Sequence, residues 1–207
     1  MARSLRPHEI IIADGGSTDA TLNIAEKNAR LVQSSPGRGT QMNAGAAIAT
    51  GDVLLFLHAD TRLHPHALEA VQAALANPGK IGGIFDAQFA GDDWAARFFN
   101  WVYHYRRYFG IFYGDAGIFV RREAFQQMHG FRNIPLMEDY EFGRRLYGPL
   151  WRRGQRMAFL HEPIFISDRR WRKAGLFRTL CTWVFIQTLF SLGFPAEPLA
   201  RIYRPVR

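Results

Sequence analysis

The sequence predicts an α/β domain whose mostly parallel sheet is flanked by helices. Three observations carry that expectation. Ile10, Ile11 and Ile12, and later Val53 to Leu57, form short apolar runs suited to strands buried on both faces. Segments with helical spacing of apolar residues lie between such runs. The first half therefore reads β-α-α-β-α, the pattern of parallel strands joined by crossover helices.

Each element follows from local chemistry. Glu9 to Ala13 is a strand ended by the turn residues Asp14, Gly15 and Gly16. Ser17, Thr18 and Asp19 are N-cap types, and Leu22, Ala25 and Ala29 then share one helical face. Thr40 to Ala49 is an alanine-rich helix closed by Gly51. After the strand at 53–57, a third helix starts near Pro65, presents Leu68, Val71 and Leu75, and stops at Asn77-Pro78-Gly79. Phe85, Ala87 and Phe89 alternate with Asp86 and Gln88, as on a strand exposed on one face. Trp94 to Tyr108 is an aromatic-rich helix, Gly117 to Val120 a strand, and Glu123 to Met128 and Glu138 to Leu146 are helices. Met157 to Leu160 and Ile164 to Ser167 are expected as two short strands.

Composition narrows the classes. The chain has 207 residues, 48% hydrophobic and 21% charged, which suits one domain with a real core. Its net charge of +8 fits phosphorylated substrates, anionic lipid or nucleic acid. Many basic residues sit late, including Arg152, Arg153, Arg156, Arg201, Arg204 and Arg207. No nucleic-acid-binding pattern accompanies them, so a nucleic-acid partner is not expected. The lone cysteine, Cys181, permits no disulfide within the chain and reads as a small core residue. The start of the chain lacks a secretory apolar region, so a cytoplasmic protein is expected. Thr179 to Phe194 is too short and too polar for a membrane span, which needs ~20 apolar residues. It reads as an interfacial helix, which allows peripheral contact with the inner membrane face.

Four segments carry chemistry. Two strands end in acidic turns, at Asp14 and at His58-Ala59-Asp60, and ligands of open α/β sheets bind beyond strand ends. Each aspartate alone could be only a turn former. A diphosphate-bound Mg²⁺ or Mn²⁺ needs one or two carboxylates, with phosphate and water completing the shell, and Asp60 could supply one. His58 either adds an imidazole, which suits Mn²⁺ better than Mg²⁺, or orients the site. Gly37-Arg38-Gly39 precedes a helix whose N-terminus favours anions, with Arg38 and Asn43 near it. Glu138-Asp139 opens another helix, either as dipole-stabilising caps or as a carboxylate base that deprotonates an acceptor hydroxyl. Asp168-Arg169-Arg170-Trp171 is either a basic surface turn or a clamp for a diphosphate and sugar.

Taken in order, IIIADGGSTDAT (10–21), GRGTQMNAGAAIATGDVLLFLHADT (37–61), GDAGIFVRREAF (114–125), HGF (129–131), MEDYEF (137–142) and RRW (169–171) resemble the family 2 glycosyltransferases of the GT-A fold. His-Ala-Asp and GRGTQMN further resemble a small bacterial subgroup associated with radical-SAM or selenium-type domains. The resemblance implies an inverting, metal-dependent glycosyl transfer from a UDP- or GDP-type sugar to a hydroxyl acceptor, a lipid-linked one included. It implies one domain over 1–207, with a nucleotide-binding half (1–90), an acceptor and catalytic half (91–175) and an apolar helical segment (176–207). It assigns Asp14 to the nucleotide, Arg38 and Asn43 to the donor, and Asp60 to the cation. Gly114 and Asp115 would line the sugar and acceptor pocket. Asp139 would be the base with Glu138 as second choice, and Arg170 and Trp171 would lie on a loop closing over the donor. The family pattern begins with a further strand and helix that these residues lack, so two strand edges are expected to be exposed. A non-catalytic nucleotide- or partner-binding module and a membrane-surface adaptor are the alternatives. A sugar nucleotidyltransferase would want a glycine-rich loop with a lysine after the first strand, which is not present.

Overall fold

The computed structural model describes residues 7–89, 91–106, 111–148 and 156–203, without the side chain of Arg170. Arg152, Arg153, Arg204, Arg207 and the expected helix end at Tyr108 lie outside the described residues. The β-branched run forms β1 (Ile11–Asp14), and α1 (Thr21–Asn28) returns the chain to β2 (Arg30–Gln33), parallel to β1. Then α2 (Arg38–Ile48) packs its small residues on β1, with Gly45 facing Ile11 and Ala13. The Glu9 carboxylate accepts hydrogen bonds from the Thr50 and Gly51 amides and the Thr50 hydroxyl, which ties the end of α2 to the start of β1.

The remaining strands are β3 (Val53–Phe56), β4 (Arg62–Leu63), β5 (Lys80–Phe89), β6 (Ile118–Arg121) and β7 (Arg156–Ile166). They form one sheet in the order β3-β6-β5-β7-β4. Only β5 and β7 are parallel in it; β6 runs against both β3 and β5, and β4 against β7. The sheet is mixed, which corrects the mostly parallel expectation. The physical reason is that Ile118, Phe119 and Val120 are buried, and a strand buried on both faces has no periodicity that reveals its direction. No ladder joins β1 to β3 among the described residues, so the β1–β2 pair stands as a separate sheet. Ile10, Val53 and Leu57 remain exposed at these edges.

Two strand expectations also change. The alternation expected over Phe85 to Phe89 is present, with Asp86 and Gln88 the less buried positions, but β5 begins at Lys80 and all of Ile81 to Phe85 is buried, so its first half is central to the sheet. The two expected strands near 157–167 are one, β7. A register irregularity where Ile84 and Asp86 face Phe159 and Pro163 absorbs the proline, which has no amide to give the ladder.

Helices cover the sheet. They are α3 (Ala67–Leu75), α4 (Trp94–Arg106), α5 (Arg122–Gln127), α6 (Glu138–Tyr147), α7 (Arg169–Ala174), α8 (Leu176–Ser191) and α9 (Ala196–Ile202). Phe85, Phe99, Phe112, Phe119 and Phe142 are fully buried at the centre. Cys181 lies on the exposed side of α8, not in the core, because Thr179 and Ile186 take the inward positions. Among the described residues no helix is long and apolar enough to cross a membrane.

Candidate active site

One cleft of about 210 Å³ gathers residues from Arg38 to Tyr203. His58 and Asp60 enter it from the turn after β3, where the Thr61 amide donates to the His58 carbonyl at 3.0 Å. Asp60 is about half exposed, and its Oδ2 lies 3.8 Å from the Arg169 guanidinium at the start of α7. Arg38, at the first position of α2, reaches in from the opposite side.

The acidic start of α6 is the most constrained part. Met137 adopts a left-handed conformation at φ 67°, uncommon for a side chain of this size. As successive residues of α6, Glu138 and Asp139 point about 100° apart around its axis. Asp139 lines the cleft; its Oδ2 accepts the Gly114 amide at 2.7 Å and its Oδ1 accepts the Tyr140 amide at 2.7 Å. Glu138 is 1% exposed and does not line the cleft. Arg38 Nη2 donates to Glu138 Oε2 at 3.3 Å, while Arg38 Nε lies 2.8 Å from Oε1 without hydrogen-bond alignment. Burial acts to lower the Arg38 pKa, but the charges of Asp139 and Glu138 outweigh it and hold the guanidinium above its ordinary value.

Close approach explains two glycines. A Cβ on Gly114 would stand 2.8 Å from His58 Nε2 and 3.1 Å from Asp139 Oδ2, so only glycine lets these two groups converge. A Cβ on Gly39 would meet the Arg132 carbonyl at 2.7 Å, so glycine lets α2 seat against the loop that leads to α6.

Asp115 closes the far side. Its carboxylate accepts from the Tyr103 hydroxyl at 2.9 Å and from Arg106 Nη2 at 3.3 Å. Burial first, and then the Asp115 charge, push the Tyr103 hydroxyl well above the usual tyrosine range, so it remains a donor. The Arg106 guanidinium lies 3.2 Å from the Tyr103 ring centre and 4.4 Å from that of Tyr113, which fixes this wall of the cleft.

The cleft therefore brings together Arg38, His58, Asp60, Asp115, Asp139 and Trp171. It does not bring in Asp14 or Asn43. Asp14 is buried, and its two oxygens accept the Ser17 hydroxyl, the Ser17 amide and the Gly16 amide, which lower its pKa. Asn43 clamps the Phe131 backbone, donating to the carbonyl at 2.8 Å and accepting from the amide at 2.9 Å. Both polar ends hold the loop before α6, and Asn43 does not line the cleft. Trp171 is on helix α7 rather than a free loop, stacked on Phe99 at 4.2 Å and close to Phe89 at 4.7 Å. Arg170 shares that helix, with its side chain outside the described residues.

Sequence reasoning missed Tyr103, Tyr113, Trp183, Ile186 and Tyr203 as lining residues. Tyr103, Trp183 and Ile186 sit on helices like ordinary core residues, and Tyr113 and Tyr203 lie outside helices with no pattern that marks them. The one available signal was Arg106, three positions beyond Tyr103 and able to pair with Asp115.

Glu138 makes one pH effect testable. Burial, and then the Asp139 charge, raise its carboxyl from the usual 4.5 to about 7, with Arg38 acting in the opposite direction. Between these values the folded chain keeps a proton that the unfolded chain has lost. Its contribution to stability is therefore full below pH 4.5 and declines as pH rises towards 7. Glu138→Gln is expected to flatten the fall in Tm across this window relative to wild type. Parallel Tm–pH curves for the two proteins would contradict the assignment.

A family model, Glycosyl transferase family 2, matches residues 2–181. The uncharacterized glycosyltransferase alr2836 of Nostoc sp. is 34% identical over 82 residues, which are 36% of this chain and 26% of that protein. Among solved structures, the mannosyltransferase PcManGT from Pyrobaculum calidifontis, in complex with GDP-Man and Mn²⁺, aligns over 94% of this chain and 58% of its own, with TM-score 0.62 and 18% identity. S. aureus TarS 1–349 in complex with UDP aligns over 77% of this chain and 51% of its own, with TM-score 0.57 and 17% identity. This chain thus spans about a quarter of the curated relative and between half and three-fifths of those two structures. The structural likeness carries the α/β fold of these transferases, and the comparisons reach the family but not the narrower bacterial subgroup. With its family model running through β1, His58-Ala59-Asp60, Asp115 and the acidic start of α6, the chain belongs to glycosyl transferase family 2.

Proposed function

We propose that the protein transfers a sugar, with inversion, from a UDP- or GDP-type donor to a hydroxyl acceptor. The observation that carries this is the convergence of Asp60, Asp115 and Asp139 with Arg38 and Arg169 in one cleft. The arginines face the diphosphate. Asp139 takes the acceptor proton as the hydroxyl attacks the anomeric carbon from the face opposite the diphosphate. The bond to the leaving phosphate oxygen breaks in the same displacement, so no covalent enzyme intermediate forms. Asp115, held by Tyr103 and Arg106, orients sugar hydroxyls.

The residues present fit a divalent cation that arrives with the diphosphate. Asp60 offers one carboxylate and His58 one imidazole, a set that suits Mn²⁺ better than Mg²⁺. Among the described residues no three His, Cys, Asp or Glu side chains gather to hold an ion by themselves. Bound there, the cation would neutralise charge on the leaving diphosphate. The neighbour in complex with GDP-Man and Mn²⁺ supports this reading.

A panel of UDP- and GDP-sugars with Mn²⁺ tests it. Donor consumption is expected, with NMR of the product showing the anomeric configuration inverted. Retained configuration would overturn the mechanism. The separated β1–β2 pair favours a second reading, a nucleotide-binding module without turnover. Tight donor binding with neither transfer nor hydrolysis would select it.

A further inference from the structure

We propose that the acceptor is an apolar alcohol, whose hydrocarbon body lies on a wall built from the start of α6, from α8 and from the end of α9. The inference rests on the transferase reading with Asp139 as the base. An acceptor hydroxyl that gives its proton to Asp139 lies within hydrogen-bond reach of that carboxylate. The side chains around Asp139 therefore meet the body of the acceptor.

Those side chains form an apolar wall. Tyr113 directly precedes Gly114, whose amide donates to Asp139, and Leu136 and Met137 lead into the helix start that carries Asp139. Leu136, Met137 and Ile186 belong to one buried hydrophobic cluster, with Tyr113 and Tyr203 packed against it. All five line the cleft, and the half-buried Tyr113 and Tyr203 keep surface for a ligand. Trp183, one turn before Ile186 on α8 and also half-buried, continues the wall.

The polar groups beside this wall are already engaged. The Tyr113 hydroxyl donates to Gln187, and the Tyr140 and Ser191 hydroxyls pair at 3.0 Å. Burial pushes the Tyr113 hydroxyl above the usual tyrosine range, so it stays a protonated donor to that partner. Arg38 is held by Glu138, and Asp115 by Tyr103 and Arg106. The ion pair of Asp60 with Arg169 enters from other elements, the turn after β3 and α7. Helix α8 carries no charged residue after Arg178 and gives the cleft Trp183 and Ile186.

A polyol placed here would bury its further hydroxyls against Leu136, Met137 and Ile186, which offer them no partner. A hydrocarbon body instead removes its own surface and that of the rings from water. One hydroxyl suffices for the transfer. Its oxygen bonds to the anomeric carbon, its proton passes to Asp139, and the diphosphate leaves with the electron pair of the broken bond.

Four defined alcohols test this. Naphthylmethanol supplies a ring, octanol a chain, and methyl glucoside and glycerol are polyols. In NMR titrations with UDP or GDP and Mn²⁺ added, naphthylmethanol or octanol is expected to bind at least tenfold tighter than either polyol. A stronger response to naphthylmethanol would assign a ring to the acceptor, and a stronger response to octanol a chain. With UDP- or GDP-sugars the same alcohol should be glycosylated with at least tenfold higher kcat/KM than the polyols. The Ile186→Thr/Tyr203→Ser double variant is expected to lose at least tenfold in affinity for that alcohol while its calorimetric affinity for UDP or GDP with Mn²⁺ holds. Its Tm checks the fold; should the double variant unfold, Tyr203→Ser alone, at a half-buried position, is expected to lose at least threefold. Polyols that bind or react as well as the apolar alcohols would overturn the proposal, as would unchanged alcohol affinity in a folded variant. Alcohol binding at this wall without any nucleotide binding would sink the transferase reading and leave the apolar class of ligand standing.

Discussion

Asp139→Asn is expected to lower turnover by ~10²–10⁴-fold, the range for loss of a general base, with little change in donor affinity. Two amides, from Gly114 and Tyr140, occupy one lone pair on each carboxylate oxygen. A carboxylate has about four acceptor sites, so capacity remains on the side facing the cleft. Asparagine keeps the volume and removes the basic oxygen. It also turns an amide donor towards a backbone donor, so Tm must be measured to separate a local packing defect from lost chemistry. The informative contrast is Glu138→Gln. Glu138 sits outside the cleft against Arg38, so that variant is expected to keep turnover within about tenfold of wild type, because no step needs its proton. Unchanged kcat in Asp139→Asn, or a larger loss in Glu138→Gln, would transfer the base to the other carboxylate or to neither.

The second large effect is expected at Asp60. Asp60→Ala should reduce kcat/KM by ~10²–10³-fold, as when charge stabilisation at a leaving group is removed. The side chain is half exposed and its ion-pair partner among the described residues is Arg169 at 3.8 Å, so Tm should stay close to wild type. The independent readout is Mn²⁺ itself. Electron paramagnetic resonance should show Mn²⁺ immobilised by wild type when UDP or GDP is present, and the variant should leave it free. His58→Ala should produce a smaller change in the same spectrum if the imidazole is a ligand. Metal-independent turnover that survives Asp60→Ala would reject the metal role.

Both experiments depend on a site that was partly readable along the chain. Asp60, Asp115 and Asp139 sit in short segments whose residue types and order carry meaning at any register. Asn43 shows what such reading leaves open. From sequence it stands beside Arg38 on the same helix, yet the fold turns it to the Phe131 backbone and Arg38 to the cleft. Five residues on a helix turn the side chain by about 140°, so the two positions face different neighbours, and only packing says which neighbour each meets. Asp14 takes the turn-forming role that the sequence left open to it, its carboxylate accepting from Ser17 and Gly16.

Sequence by itself determined where β1, β3, α2, α3 and α6 lie, because β-branched runs, capping residues and apolar stripes are local properties. It could not determine the mixed direction of the sheet or the short, half-polar strand β2, Arg30-Leu31-Val32-Gln33. Strand direction is set by which partner completes each ladder, and the burial of Ile118 to Val120 is the same in either orientation. Only the tertiary structure decided that Asp139 and Glu138, adjacent in the chain, face separate surroundings. Asp139 meets the Gly114 amide at the cleft, while Glu138, one helical position earlier and about 100° around the α6 axis, is buried against Arg38.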